Sequence, residues 1–320
     1  MAKKRKLKKG RLAIIVGIMI LLICLLVFMV SLLINLIKTP KTEFSVEELN
    51  INELDYSEMQ ELDLNLYSNE YMLIRLNDFK VLYGKDLDNK FYPASLTKVM
   101  TLDVALDLTE DYSDTSTLSY EQYWELIADD ASVAGLYPEK DQTVNDLFYE
   151  LILPSGADAA VALNNYSVNK TGTDLVTFMQ DKVNELGLEN SSFSNTTGLD
   201  DEHLYTSLND YAKIVMDVLK NEEGKQVLKT LTYPFNNHLP DVDDTLTHTL
   251  IKYIDISDRD DGVEILGGKT GYTPKAGQNV VVLYTYENRS YMLILAGASG
   301  ESSEHTNLKD VMTILNYLYD

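Results

Sequence analysis

The sequence predicts an α/β protein of the α+β type: a mainly antiparallel sheet flanked by helices, with a helical region inserted between its opening and closing strands. Three observations lead there. Stretches with strand character stand at both ends of residues 69–320, while helix-period apolar residues fill the middle. The alternation of strand and turn at each end fits antiparallel hairpins. Ahead of all this, Leu12 to Ile37 carries no charged residue and reads as a transmembrane helix.

At a rise of about 1.5 Å per residue that run gives roughly 39 Å of helix, more than the ~30 Å hydrocarbon core. It is too long for a signal peptide and ends at Lys38. Residues 1–11 are strongly basic, which puts the N-terminus in the cytoplasm and everything after Lys38 outside. Residues 38–68 are expected to be an acidic stalk with little periodic signal. Tyr71 to Leu76 reads as a strand, Asn77-Asp78 as a turn, and Lys80 to Tyr83 as the returning strand.

The helical subdomain is expected over about 99–230. Thr143 and Asp146 resemble a capping box that opens a helix through Leu147, Phe148, Leu151 and Ile152, and Pro154 stops it. A second helix runs from Asp158 to about Asn165. A third carries Leu175, Met179, Val183 and Leu186 on one face and ends at Gly187; Ser207 to Asp210 opens a fourth, to about Lys220. Strands return at Val263–Leu266, Gln278–Tyr286 and Tyr291–Ala296. A last helix from about Glu304 carries Leu308, Val311, Leu315 and Leu318.

Charge and residue usage exclude several functions. The net charge is −23, and residues 1–38 hold eight Lys or Arg and no acidic residue. The remainder has 19 basic against 50 acidic residues, a balance of −31, which a nucleic-acid backbone repels. The one cysteine, Cys24, lies in the apolar run, so no internal disulfide and no cysteine metal site can form. His203, His238, His248 and His305 show no metal-ligand spacing, so neither a metal nor a cofactor is expected.

The chemistry is concentrated in three short motifs. Ser95 and Lys98, three residues apart at a helix start, lie on one helix face, where a neutral lysine can take the serine's proton. Ser155-Gly156-Ala157 occupies a break between two helices, and Lys269-Thr270-Gly271 ends a strand after Gly267-Gly268. Each is weak alone: a second Ser-x-x-Lys stands at Ser167–Lys170 and a second Lys-Thr-Gly at Lys170–Gly172. Order and setting distinguish them, with a helix-opening Ser-x-x-Lys after a hairpin, a serine in a helix break, and a strand-borne Lys-Thr-Gly last.

Tyr92–Thr101, Ala131–Gly135, Leu153–Ala160 and Gly268–Tyr272 resemble the low-molecular-weight penicillin-binding proteins, the serine D-alanyl-D-alanine carboxypeptidases. The resemblance runs from about Glu70 to the end. It implies a β-lactamase/penicillin-binding-protein-like fold and a serine D,D-peptidase domain over residues 69–320. It also implies removal of the terminal D-alanine from peptidoglycan stem peptides through an acyl-enzyme on Ser95. Lys98 would be the base and Ser155 the proton relay. Lys269 would bind the substrate carboxylate, staying charged at the strand edge, with Thr270 adding a hydrogen bond and Gly271 completing the binding strand. The N–H groups of Ser95 and Tyr272 would form the oxyanion hole. The implied partners are a stem peptide ending in D-Ala-D-Ala and β-lactams as covalent inhibitors, and the implied location is a bacterial cell membrane.

The second motif usually ends in Asn, and this chain has Ala157, so substrate orientation is where it departs. Family members are often held by a C-terminal amphipathic helix, whereas here residues 12–37 are expected to serve as the anchor. Two other functions compete. A class A-like β-lactamase would need a glutamate on a loop after the second motif, and residues 165–200 show no such loop. A non-catalytic sensor of peptidoglycan or β-lactams is favoured only by Ala157.

Overall fold

The computed structural model describes residues 22, 25, 54–235, 245–253, 259 and 261–319. The apolar run expected to span a membrane lies outside the described residues except for Leu22 and Leu25. Among the described residues no helix is long and apolar enough to cross a membrane.

The sheet has five strands: β1 (Glu70–Arg75), β2 (Lys80–Lys85), β7 (Glu264–Thr273), β8 (Gly277–Tyr286) and β9 (Arg289–Ala298). Their order is β2-β1-β9-β8-β7 and every pairing is antiparallel. The first hairpin therefore joins the last strand, which is how both ends of the domain share one sheet. β8 is buried along almost its whole length, as suits a β-branched strand covered on both faces.

Alternate residues serve two cores. Met72, Ile74, Val281, Leu283, Met292 and Ile294 face the helical region. Leu73, Val280, Val282, Leu293 and Leu295 face the C-terminal helix, which contributes Leu308, Val311, Ile314 and Leu315.

Between the sheet's two halves the chain forms α1 (Thr97–Leu108), α2 (Tyr120–Ala128), α3 (Val144–Ile152), α4 (Ala157–Thr171), α5 (Leu175–Glu185), α6 (Leu208–Lys220), α7 (Glu222–Leu228) and α8 (Thr249–Tyr253), with two-stranded ribbons β3 (Thr115–Ser116) with β4 (Gln142–Thr143) and β5 (Thr232–Pro234) with β6 (Thr245–Thr247). The last helix is α9 (Thr306–Tyr319). Side-chain caps start several of them: Thr143 accepts from Asp146 N–H and Ser207 from Asp210 N–H. α1 is the axis of the region, with ten consecutive residues from Thr97 to Leu106 buried. No amphipathic stripe marks it, because neighbours cover it all round.

Two expectations change. Residues 54–68 are not stalk. Asp55 and Gln60 pair with β2 through Val81 N–H to Asp55 O (2.9 Å) and Gly84 N–H to Gln60 O (3.0 Å), and Ser68 donates to Asp310 through both its N–H and its hydroxyl (2.7 Å each). The segment closes an otherwise open sheet edge, a task that needs backbone groups and no side-chain period.

The strand read as Val263–Leu266 instead runs on to Thr273, through Gly267 and Gly268. A Cβ on Gly267 would lie 2.0 Å from Leu228 O, and one on Gly268 2.0 Å from Val281 O. The glycines mark close approach of backbone, not the end of the strand.

Glu150, on α3, is fully buried and neither carboxyl oxygen has a hydrogen-bond partner. Burial, with Asp158 and Asp146 nearby, raises its pKa well above the carboxylate range, so it is a neutral acid. The unfolded chain releases this proton above about pH 4.5 and the fold retains it, so folding weakens as pH rises past that point. Replacing Glu150 with Leu should raise stability at pH 7 by about 1–3 kcal/mol. The gain should shrink towards pH 4, as measured by urea unfolding at both pH values; equal gains at both would refute the assignment.

Candidate active site

The cleft lies between the outer edge of β7 and the start of α1, with a volume of about 880 Å³, and Ser95, Lys98, Ser155, Ala157 and Thr270 line it. Ser95 sits in a 3-10 turn, Ala94–Leu96, that leads into α1. The three-residue spacing brings Lys98 Nζ to 3.0 Å from Ser95 Oγ. Lys98 is 1% exposed, and burial lowers its pKa to about 7, against a smaller upward pull from Asp158. A neutral amine there accepts the Ser95 proton and donates to Thr197 O at 2.6 Å.

Ser155 holds left-handed backbone, φ 68°, at the bend between α3 and α4. Such a conformation strains a non-glycine residue and turns its side chain out of the helix path. Lys269 Nζ donates to Ser155 Oγ at 2.8 Å and to Thr270 O at 2.7 Å. The three motifs thus meet as expected. One feature does not match: Lys269 lies on the edge strand β7 as expected, yet its side chain is fully buried. Burial first, and then Lys98, push its pKa well below that of a free lysine. Both amines are depressed, where Lys269 was expected to stay charged.

Glycine brings the two sides together. A Cβ on Gly271 would stand 2.9 Å from Pro93 O and 3.1 Å from Ser95 N, so β7 can lie against the serine turn only with glycine there. That contact sets the backbone of Gly271-Tyr272 beside the Ser95 N–H. Thr270 Oγ1 is 2.7 Å from Thr249 Oγ1. His248 braces the same strand: its Nδ1 accepts from Leu250 N–H (3.0 Å), so Nε2 carries the proton and donates to Gly268 O (2.9 Å). Burial lowers its pKa to about 4, which keeps it neutral.

Ala157 borders the cleft, and its N–H donates to Ser132 O at 2.7 Å. Asp158 next to it accepts from the N–H groups of Ala134, Gly135 and Leu136 (2.8–3.0 Å), fastening the 131–136 segment along the cleft. The second copies of the motifs fall elsewhere: Ser167 and Lys170 are within α4, and Gly172 ends it.

The sequence reading passed over the Asn195–Leu199 turn. Asn195 Oδ1 accepts from Thr197 N–H (3.1 Å), Thr197 Oγ1 (3.1 Å) and Gly198 N–H (2.7 Å), and its Nδ2 donates to Leu199 O (3.1 Å). Gly198 has φ 85°, and a Cβ there would lie 2.1 Å from Ala94 O. Thr101 Oγ1 donates to Thr196 O (2.8 Å). The turn therefore holds the Thr197 carbonyl on Lys98. The Asn-Thr-Thr-Gly composition signals a turn, but nothing in it signals a partner ninety-nine residues away.

The D-alanyl-D-alanine carboxypeptidase family model, Peptidase_S11, matches residues 57–300. The chain belongs to this family. It is 30% identical over 237 residues to D-alanyl-D-alanine carboxypeptidase DacF of Bacillus subtilis (strain 168), covering 71% of this chain and 57% of that protein. It is 29% identical over 227 residues to the DacA carboxypeptidase of Haemophilus influenzae, covering 70% and 55%. The chain thus spans a little over half the length of these relatives. Among solved structures, a point mutant of the Streptomyces K15 DD-transpeptidase superposes with a TM-score of 0.68 at 25% identity, covering 80% of this chain and 98% of that one. The Peptidase_S11 domain here is therefore a penicillin-binding-protein fold with an antiparallel sheet flanked by helices.

Because the Asn195 side chain fixes the Thr197 carbonyl and not the serine itself, Asn195→Ala should slow acylation of Ser95 about 10- to 100-fold while leaving ligand affinity within about twofold. Stopped-flow acylation at several ligand concentrations separates the two, and a pure affinity loss would contradict this role.

Proposed function

We propose that this chain is a serine D-alanyl-D-alanine carboxypeptidase that trims peptidoglycan stem peptides and is acylated by β-lactams. The observation that carries the reading is one cleft holding a Ser95–Lys98 pair at 3.0 Å and a Ser155–Lys269 pair at 2.8 Å. Neutral Lys98 takes the Ser95 hydroxyl proton as Oγ bonds to the carbonyl carbon between the last two D-alanines. The developing oxyanion is met by the N–H groups of Ser95 and Tyr272. The C–N bond then breaks, and the leaving amine takes a proton passed from Lys98 through Ser155. D-alanine departs, and water, deprotonated by Lys98, hydrolyses the ester and restores Ser95.

The substrate's terminal carboxylate is met by the Thr270 hydroxyl and by the positive field of Lys269 behind Ser155. An anion at that place favours the charged form of Lys269 and so offsets the effect of burial. Gly271 lets the bound peptide lie along β7, and Ala157 borders the acyl site with a methyl group.

Among the described residues lining the cleft there is no glutamate; Asp129, Asp130 and Asp200 are its carboxylates. This favours a slow-turnover target of β-lactams over a lactamase.

We further propose that residues 12–37 anchor the protein in a bacterial cell membrane, with the basic tail in the cytoplasm and the catalytic domain outside. The length of the apolar run and the eight basic residues before the acidic remainder support this. Protease treatment of intact cells should remove the domain and spare the tail.

The deciding experiment incubates the chain with a penicillin, and separately with a D-Ala-D-Ala pentapeptide, and follows intact mass and free D-alanine. A long-lived adduct and D-alanine release, both absent in Ser95→Ala, are expected. Rapid penicillin turnover would indicate a lactamase, and an adduct without D-alanine release a sensor. The acylation rate should rise with pH through about 7, as Lys98 loses its proton, and level off above. A profile flat between pH 6 and 8 would rule out Lys98 as the base.

A further inference from the structure

The chain's single tryptophan is not in a core. Trp124 is 62% exposed, on a helix whose only buried residue is Leu126. Tyr120, Trp124 and Ile127 follow one another at four- and three-residue intervals and share one outward face of α2. Tyr137 stands beside them, its ring 6.5 Å from that of Tyr120, and Tyr123 packs edge-on against Trp124 at 5.7 Å.

This face is held rigidly. Ser119 and Gln122 form a reciprocal capping box at the start of α2. Gln122 and Asn165 exchange two amide hydrogen bonds (2.9 and 3.1 Å), and Asn165 also donates to Thr117 O. A fixed row of exposed aromatic rings, which among the described residues touch one another and no core, is a surface built for contact.

Its position and charge identify the contact. α2 runs directly into Asp129–Ser132, which lines the catalytic cleft and is tied to Ala157. The helix that carries the aromatic face thus leads straight into the segment bordering the place where the stem peptide would lie. Glu121 and Glu125 are exposed on the same helix and Asp129 and Asp130 directly after it, and the domain carries the acidic balance noted above. Anionic polymers and anionic lipid are repelled. A neutral N-acetylated sugar chain is not, and the C–H faces of its rings stack on indole and phenol rings.

We propose that Tyr120, Trp124, Ile127 and Tyr137 form a platform for the glycan strand to which the stem peptide is attached. The proposal rests on the carboxypeptidase reading for its substrate. It makes the enzyme one that recognises polymer as well as peptide, with the sugar chain docked on α2 and a stem peptide entering the cleft beyond Asp129.

The test uses the full chain and the variants Trp124→Ala, Trp124→Phe and Tyr120→Ala. D-alanine release is measured from a free pentapeptide and from isolated peptidoglycan polymer. For Trp124→Ala, KM on polymer should rise about tenfold with kcat unchanged, while kcat/KM on free pentapeptide stays at the wild-type value. Trp124→Phe should recover most of the loss. Equal effects on both substrates, or none on either, would overturn the platform.

Because Trp124 is the only tryptophan, its emission reports on the face directly. Neutral oligomers of N-acetylglucosamine should shift or quench it; no change would overturn the proposal. A response to phosphatidylcholine vesicles and not to glycan would overturn it in favour of a membrane contact. If the wild-type chain fails to cleave pentapeptide, the carboxypeptidase reading falls, and the glycan titration still decides the platform on its own.

Discussion

Two lysine amines are enclosed in one wall-to-wall space between β7 and α1, and most of the local structure exists to make that possible. Lys98 and Lys269 are 1% and 0% exposed, and both are pushed down by the loss of water. A buried ammonium without partners is expensive. Each amine therefore has a carbonyl as one partner and a serine hydroxyl as the other: Thr197 and Ser95 for Lys98, Thr270 and Ser155 for Lys269. Asp158 adds the one favourable charge acting on Lys98, and it is itself held by four backbone N–H groups. The same enclosure that costs folding energy turns a lysine into a base at neutral pH.

The arrangement is kept by backbone more than by side chains. Ala94 and Ser155 are both non-glycine residues in the left-handed region, φ 50° and 68°, one on each side of the cleft. Gly198 and Gly271 supply the other half, letting the Asn195–Leu199 turn and the β7 edge lie directly on the serine turn. Strain at the first pair is held by close packing at the second. An alanine at position 157 fits this picture, because Lys98 donates its non-serine hydrogen bond to the backbone carbonyl of Thr197.

Much of this was legible in sequence. Ser207 to Lys220 reads as a helix with its cap and is one, because cap, apolar period and charged last turn all agree over thirteen residues. The β8–β9 hairpin is legible for the same reason. The misreadings share a cause as well. β7 seemed to stop at Gly267 because glycine lowers strand propensity, yet the glycines are there for Leu228 O and Val281 O. Residues 54–68 looked unstructured because their contacts are backbone pairs to β2. α2 carries its apolar row, Tyr120, Trp124 and Ile127, on an exposed face and buries only Leu126, so that row marks no core.

By itself the sequence picked out the residues that meet in the cleft: which serines, which two lysines, in which order, on a helix start, a helix break and a strand. Those depend on identity and local spacing, and a three-residue interval on a helix leaves little freedom. Only the tertiary structure decided the environment of the charges. That Lys269 is buried against Ser155, that Thr197 O meets Lys98, and that the single tryptophan faces water all follow from contacts between residues far apart in the chain. Burial and field at a point are sums over whatever the fold brings there, and no local pattern encodes them.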